Sequence, residues 1–151
     1  MPQRLTDRTL PQYRHVPGRT PHPTRHPDGH SFEVAEFPLP SLNQFPWQDC
    51  EQYHYGVDLF NEGYWWECHE VLEALWHAAG IGTPAGHVLQ AIIQCAAAHL
   101  KTRTGQLNGA RRLLDHARKH VIWAGDFNLG FDNRKLIRDT DAFINGNAPD
   151  P

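Results

Sequence analysis

The distribution of proline divides this chain into two parts that must fold differently. Nine of the twelve prolines lie in residues 1–46, whereas residues 47–146 contain only Pro84. Because proline fixes φ and lacks a backbone N–H, residues 1–46 cannot form a helix or a central strand. We therefore expect an extended N-terminal arm, rich in proline and histidine, that either wraps around the globule or is partly disordered.

Apolar residues at spacings of three and four predict five helices after the arm. The predicted ranges are 47–61, 64–79, 84–103, 107–124 and 132–145. The third range is apolar over most of its circumference, so we expect it at the centre of the fold. No convincing alternating strand pattern is present. The sequence predicts an all-α protein: a compact antiparallel helical bundle over residues 47–146, followed by a polar tail at 147–151.

Composition narrows the class of protein. A chain of 151 residues with 40% hydrophobic residues is expected to fold as one globular domain. No apolar run is long enough to cross a membrane, and the N-terminus lacks the apolar segment of a secretory leader. Three cysteines without a CxxC pair favour a reduced, cytoplasmic chain. The net charge of −3 gives no basic footprint for nucleic acid.

Charge is distributed unevenly along the chain. Lys and Arg are absent between Arg25 and Lys101, a stretch that contains ten Asp and Glu residues, whereas residues 101–119 are mainly basic. Two interpretations remain open: the acidic part packs against the basic part, or a bound cation neutralises some of the carboxylates.

The predicted helix 64–79 carries the densest set of reactive side chains: Glu67, His69, Glu70, Glu73 and His77. His69 and Glu73 are i, i+4 neighbours at the border of the apolar face, within reach of a shared proton or cation. The motif is HExxE, which lacks the second histidine of the zinc-protease pair HExxH.

Two interpretations of this motif stay open. In the first, His69 and Glu73 fill two ligand positions of zinc or iron, and His22 or His30 of the arm supplies further ligands. In the second, His69 and Glu73 form a hydrogen bond that locks the helix against its neighbour.

A longer pattern surrounds this motif and continues into the next predicted helix. It comprises Phe60, Asn61, Gly63, Tyr64, Trp66, Glu67, His69, Glu70, Glu73, Trp76, Gln90 and Gln94. The stretch from Leu59 to Ala98 thereby resembles the DUF309 family of small bacterial, archaeal and plastid-type proteins, although Ala91 stands where a glycine is more usual. The arm resembles a leader found in a subset of the family; His26 falls where an aspartate is commoner. The resemblance implies a compact all-α domain in which the HExxE helix and the glutamine helix pack together, and it implies no reaction.

The family pattern consists mainly of polar residues, which must be paired or bind a ligand if they are buried. The first hypothesis is a helical binding or assembly module with a buried His/Glu/Gln network. Its partner would be another protein, a small molecule, or a second copy of the chain in a homodimer.

The alternative hypothesis is a small metal-dependent, hydrolase-like enzyme. Glu70 or Glu67 would be the general base. The metal ligands would be His69 and Glu73, with His22 or His30. The substrate-binding candidates are Asn61, Trp66, Trp76, Gln90 and Gln94.

Overall fold

The computed structural model describes residues 3–32, Val34 and residues 38–146; the predicted polar tail at 147–151 lies outside the described residues. A short 3-10 helix at Trp47–Asp49 precedes five α-helices. These are α1 (Glu51–Asn61), α2 (Trp65–Ala79), α3 (Pro84–Arg103), α4 (Leu107–Ala124) and α5 (Asn133–Ile144). The described residues contain no strand, so the predicted all-α class with five packed helices is confirmed. None of the described helices is both long and apolar enough to span a membrane.

Local sequence sets the ends of the helices. The Thr83 side chain accepts a hydrogen bond from the Gly86 N–H and caps α3, whose first residue is Pro84. Asp132 caps α5 by accepting from the backbone N–H groups of the second and third helical residues. Gly105 follows α3 with a φ of +78°, a conformation that glycine adopts without strain. The predicted bounds of the last four helices lie within a residue of the observed ones, and these local signals explain the agreement for α3 and α5.

The start of the first helix differs from the prediction. We predicted a helix from residue 47, but residues 47–49 form a 3-10 helix and Cys50 is extended, with φ −95° and ψ 96°. The α-helix therefore begins at Glu51. One turn of apolar spacing does not distinguish the tighter 3-10 helix from an α-helix.

The central helix of the fold is α3, as its apolar circumference predicts. It packs against α2, α4 and α5. Leu89, Ile92 and Ile93 belong to the main core, while Cys95 and Ala98 face the small residues of α4. Close packing on several sides positions the buried side chains of α3, including that of His99.

The described part of the arm lies against α1 and α2 and contains no helix. The buried carboxylate of Asp58 on α1 accepts hydrogen bonds from the Leu5 N–H (2.7 Å), the Thr6 N–H (2.9 Å) and the Thr6 hydroxyl (2.8 Å). The Tyr55 hydroxyl donates to the Thr9 carbonyl at 3.0 Å. These described residues of the arm therefore contact α1.

Candidate functional site

The polar motif residues of α2 lie in two different environments. Glu67 is buried beneath the arm, with 5% of its side chain exposed. His69, Glu70 and Glu73 face solvent, and 51% of the Glu70 side chain is exposed. The two candidate general bases, Glu67 and Glu70, therefore do not share one site.

The buried environment joins Glu67 to the arm. Glu67 Oε2 accepts a hydrogen bond from the His15 backbone N–H at 3.0 Å and lies 2.6 Å from His30 Nε2. The other ring nitrogen of His30 contacts the Ser31 hydroxyl at 2.7 Å, and His15 Nδ1 contacts Thr20 Oγ1 at 2.6 Å. Burial lowers the pKa of His15, although the charge of Glu67 opposes this effect. A carboxylate, two histidines and two hydroxyls thus form one network between the arm and α2.

Aromatic rings surround this network. The ring of Trp66 packs edge-on against His15 and His22, at centroid distances of 4.8 and 5.4 Å. Tyr13 packs against His30 at 4.7 Å. His22 and His30 are predicted as further metal ligands beside His69. In the structure His22 packs against Trp66, and His30 contacts Glu67.

The exposed environment holds a histidine between carboxylates. His69 Nε2 lies 3.0 Å from Glu73 Oε2, and His69 Nδ1 lies 3.5 Å from Glu70 Oε1. His77 reaches the other oxygen of Glu73 at 3.5 Å. One ligand atom from each of His69, Glu70 and Glu73 lies within 4.8 Å of the others, so together they can hold a divalent cation. Among the described residues, neither arm histidine belongs to this group.

The predicted substrate-binding residues are spread over the molecule. Gln94 Nε2 donates to Gln90 Oε1 at 3.0 Å, so the two half-buried glutamines pair with each other on α3. Trp66 lies under the arm, and Trp76 packs against His77 at a centroid distance of 4.9 Å. Asn61 lies elsewhere, at the edge of an apolar cleft.

This cleft, which we call the α1–α3–α5 cleft, has a volume of about 270 Å³. Its apolar walls include Tyr53, Val57, Phe60, Ile92, Leu129 and Leu136. Two buried polar residues, His99 of α3 and Thr140 of α5, also line it. Burial lowers the pKa of His99 to about 4, and the nearby charge of Arg103 acts in the same direction.

Sequence reasoning missed His99. The available signal was a polar residue on an apolar helical face, since His99 follows Ile92 by seven positions and Cys95 by four. Such a residue must find a polar partner within the core or lie at a cavity.

Comparison with known proteins identifies a domain but no activity. Residues 53–113 match the family model described as "Domain of unknown function (DUF309)", which confirms the resemblance. The matched range runs from α1 into α4 and includes Glu67, His69 and His99. No curated protein and no solved structure matches the chain.

Proposed function

Because residues 53–113 form a DUF309 domain, whose description assigns no activity, we propose a function from the geometry. The chain is a helical binding module, and Glu67 is the structural residue that fastens the arm to the domain. The observation that carries this proposal is the buried contact of the Glu67 carboxylate with His15 and His30.

The surroundings of Glu67 suit a structural role better than catalysis. A general base must be within reach of a substrate proton or a water molecule. Glu67 Oε2 is occupied by His15 and His30, and the arm covers the carboxylate. Loss of the carboxylate acceptor would leave a buried donor without a partner, which costs about 1–3 kcal/mol. The network therefore favours one position of the arm.

Substitution of Glu67 tests this role. Glu67→Gln keeps the shape of the side chain but removes its charge, so we expect faster tryptic cleavage at Arg14, Arg19 and Arg25. We also expect the free energy of unfolding to fall by about 2 kcal/mol, in line with loss of a hydrogen bond to a charged group. Glu70→Gln, one turn away on the exposed side of α2, is the matched control. Unchanged arm cleavage in Glu67→Gln, or equal effects in both variants, would contradict the proposal.

A metal-dependent, hydrolase-like function is the second candidate. The observation that favours it is the convergence of ligand atoms from His69, Glu70 and Glu73. In this version His69 and Glu73 hold zinc or iron, with Glu70 as a third ligand or as general base. Water molecules would complete the coordination on this exposed face.

Elemental analysis distinguishes the two candidates. Protein purified without chelator and incubated with zinc is analysed by mass spectrometry beside His69→Ala and His116→Ala. His116 is an exposed histidine on α4 and serves as the control. One zinc per chain in the wild type and in His116→Ala, but not in His69→Ala, would support the metal candidate. A wild type that contains neither zinc nor iron would refute it.

The same proposal includes the class of binding partner and the cellular location of the protein. We propose a protein, a small molecule or a second copy of the chain as partner, excluding nucleic acid, and a cytoplasmic location. The net charge of −3 supports the exclusion of nucleic acid. The three cysteines are free and buried, which suits a reducing compartment. Light scattering coupled to gel filtration tests the homodimer by its mass.

A further inference from the structure

The α1–α3–α5 cleft has the physical character of a small-molecule site. Its volume of about 270 Å³ is close to the lower end of the usual range, about 300–1,000 Å³. Most of its wall is apolar, and a few polar groups project among the apolar ones. A larger depression beside Asn43 is more open, and the Asn43 amide there already bonds Ala79 and Ala85.

His99 supplies the second, independent observation. Only 5% of this residue is exposed, and Nδ1 has no hydrogen-bond partner among the described residues. Its ring stacks on Phe143 at 4.4 Å and packs against Phe60 at 5.1 Å, so packing fixes its orientation. A buried polar atom without a partner destabilises the folded state, and a bound ligand that supplies the partner would relieve this cost.

Thr140 adds a hydroxyl to the same wall. Its side chain is fully buried, and its neighbour is the Cys95 thiol, which is a weak hydrogen-bonding group. At the outer edge, Lys135 and Asp139 pair with each other at 2.6 Å. The rim charges are thus partly neutralised, and the apolar interior disfavours an ion.

We propose that the α1–α3–α5 cleft binds a small neutral molecule with an apolar body and one hydroxyl group. A hydroxyl both donates and accepts, so it satisfies His99 Nδ1 in either tautomer of the neutral ring. The apolar body would contact Val57, Ile92 and Leu136. This proposal names the ligand class of the proposed binding module and rests on that function, but it does not depend on the arm network.

Paired probes test the ligand class. The full chain, labelled with ¹⁵N, is titrated with 2-naphthol and separately with naphthalene, which has the same rings without the hydroxyl. We expect saturable amide shifts at cleft residues such as Val57, Leu129 and Leu136. We expect 2-naphthol to bind about fivefold more tightly, the factor that corresponds to about 1 kcal/mol for one hydrogen bond.

Two variants test the role of His99. His99→Phe keeps an aromatic ring against Phe143 but removes the ring nitrogens, so the fivefold preference for 2-naphthol should disappear. His87→Phe, a half-buried histidine outside the cleft, should keep it. If His99→Phe fails to fold, Thr140→Val provides a second variant of similar volume, in which the preference should decrease.

Several results would overturn the proposal. These are the absence of saturable binding, shifts confined to residues outside the cleft, equal affinities for the two probes in the wild type, and an unchanged preference in the folded cleft variant. The arm experiment separates this proposal from the function on which it rests. If the arm of Glu67→Gln is cleaved by trypsin no faster than in the wild type, the proposed role of Glu67 is wrong. If 2-naphthol does not bind, the proposed ligand site is wrong.

Discussion

Substitution of Asp58 tests how firmly the arm is anchored. The Asp58 carboxylate is buried on α1 and accepts three hydrogen bonds from Leu5 and Thr6. Arg4 Nε lies 3.2 Å from the same carboxylate. Asp58→Asn preserves the size of the side chain, removes its charge, and replaces one acceptor oxygen with an NH₂ group that faces donors.

The expected magnitude follows from these contacts. Asparagine keeps one acceptor oxygen, so about two hydrogen bonds to a charged group are lost. At about 1.5 kcal/mol each, the free energy of unfolding should fall by about 3 kcal/mol. This is a large share of the roughly 5–15 kcal/mol that stabilises a typical domain. The unfavourable pairing also predicts that the first residues of the arm detach before the helices unfold.

Acid should reduce the difference between wild type and variant. Burial alone would raise the pKa of Asp58, but the hydrogen bonds from Leu5 and Thr6 and the ion pair with Arg4 outweigh it and lower the pKa below 3.8. The native state therefore favours the ionised carboxylate. Its stabilisation is present above pH 3.8 and is lost as the pH falls through the lower native pKa.

Urea denaturation and hydrogen exchange measure both effects. Unfolding is followed by tryptophan fluorescence at pH 7 and pH 3, and exchange is followed at the Leu5 and Thr6 amides. Asp115→Asn is the control, since Asp115 is exposed on α4 and pairs with Arg118. A loss below about 0.5 kcal/mol in Asp58→Asn at pH 7, with both amides still protected, would refute the anchoring argument.

Three further predictions follow from buried or constrained positions. Burial lowers the pKa of His99 to about 4, so the unfolded state binds its proton more readily. As the pH falls from 6.5 to 4, His99 should lower the free energy of unfolding by up to about 3 kcal/mol. An equally steep loss in His99→Phe would contradict this prediction. Burial raises the pKa of Cys95 to about 12, so this thiol does not ionise in the native protein. Ellman's reagent should therefore react with Cys95 only on unfolding, and labelling of Cys95 in the native protein would refute the prediction. Gly130 has a φ of +91°, and a Cβ at this position would clash with the Trp47 ring, so Gly130→Ala should lower the free energy of unfolding by about 2 kcal/mol in thermal or urea denaturation. Gly146→Ala is the control and should cost less, because the space around Gly146 is open. Equal losses in the two variants would argue against the clash.

The fold was largely predictable because its signals are local. Pro84 begins a helix and Gly105 follows one, and both act within a single turn of chain. The apolar circumference of 84–103 likewise predicts a central helix before any partner is known. The exception is the first helix, where residues 47–49 are too short for periodicity to reveal their geometry.

The candidate site was less predictable because it depends on distant segments. Helical-wheel positions predict that Glu70 and His77 are exposed. In the structure, 51% of the Glu70 side chain and 65% of the His77 side chain are exposed. The burial of Glu67 instead results from the arm, which has no periodicity to reveal where it lies. The partner of Glu67, His30, is 37 positions away in the chain. His99 was missed because the cavity beside it forms only when three helices and a loop come together.

The position of the arm has a consequence for the order of events during synthesis. The N–H groups of Thr6 and His15 bind carboxylates that lie 52 positions later in the chain. At about 5–20 residues per second, the arm leaves the ribosome roughly 3–10 s before the residues that bind it. The contacts between successive helices are closer in sequence and form more readily. The arm is therefore made before the residues that bind it but is among the last parts to reach its native place, and a nascent chain exposes the uncovered side of α2 until it does.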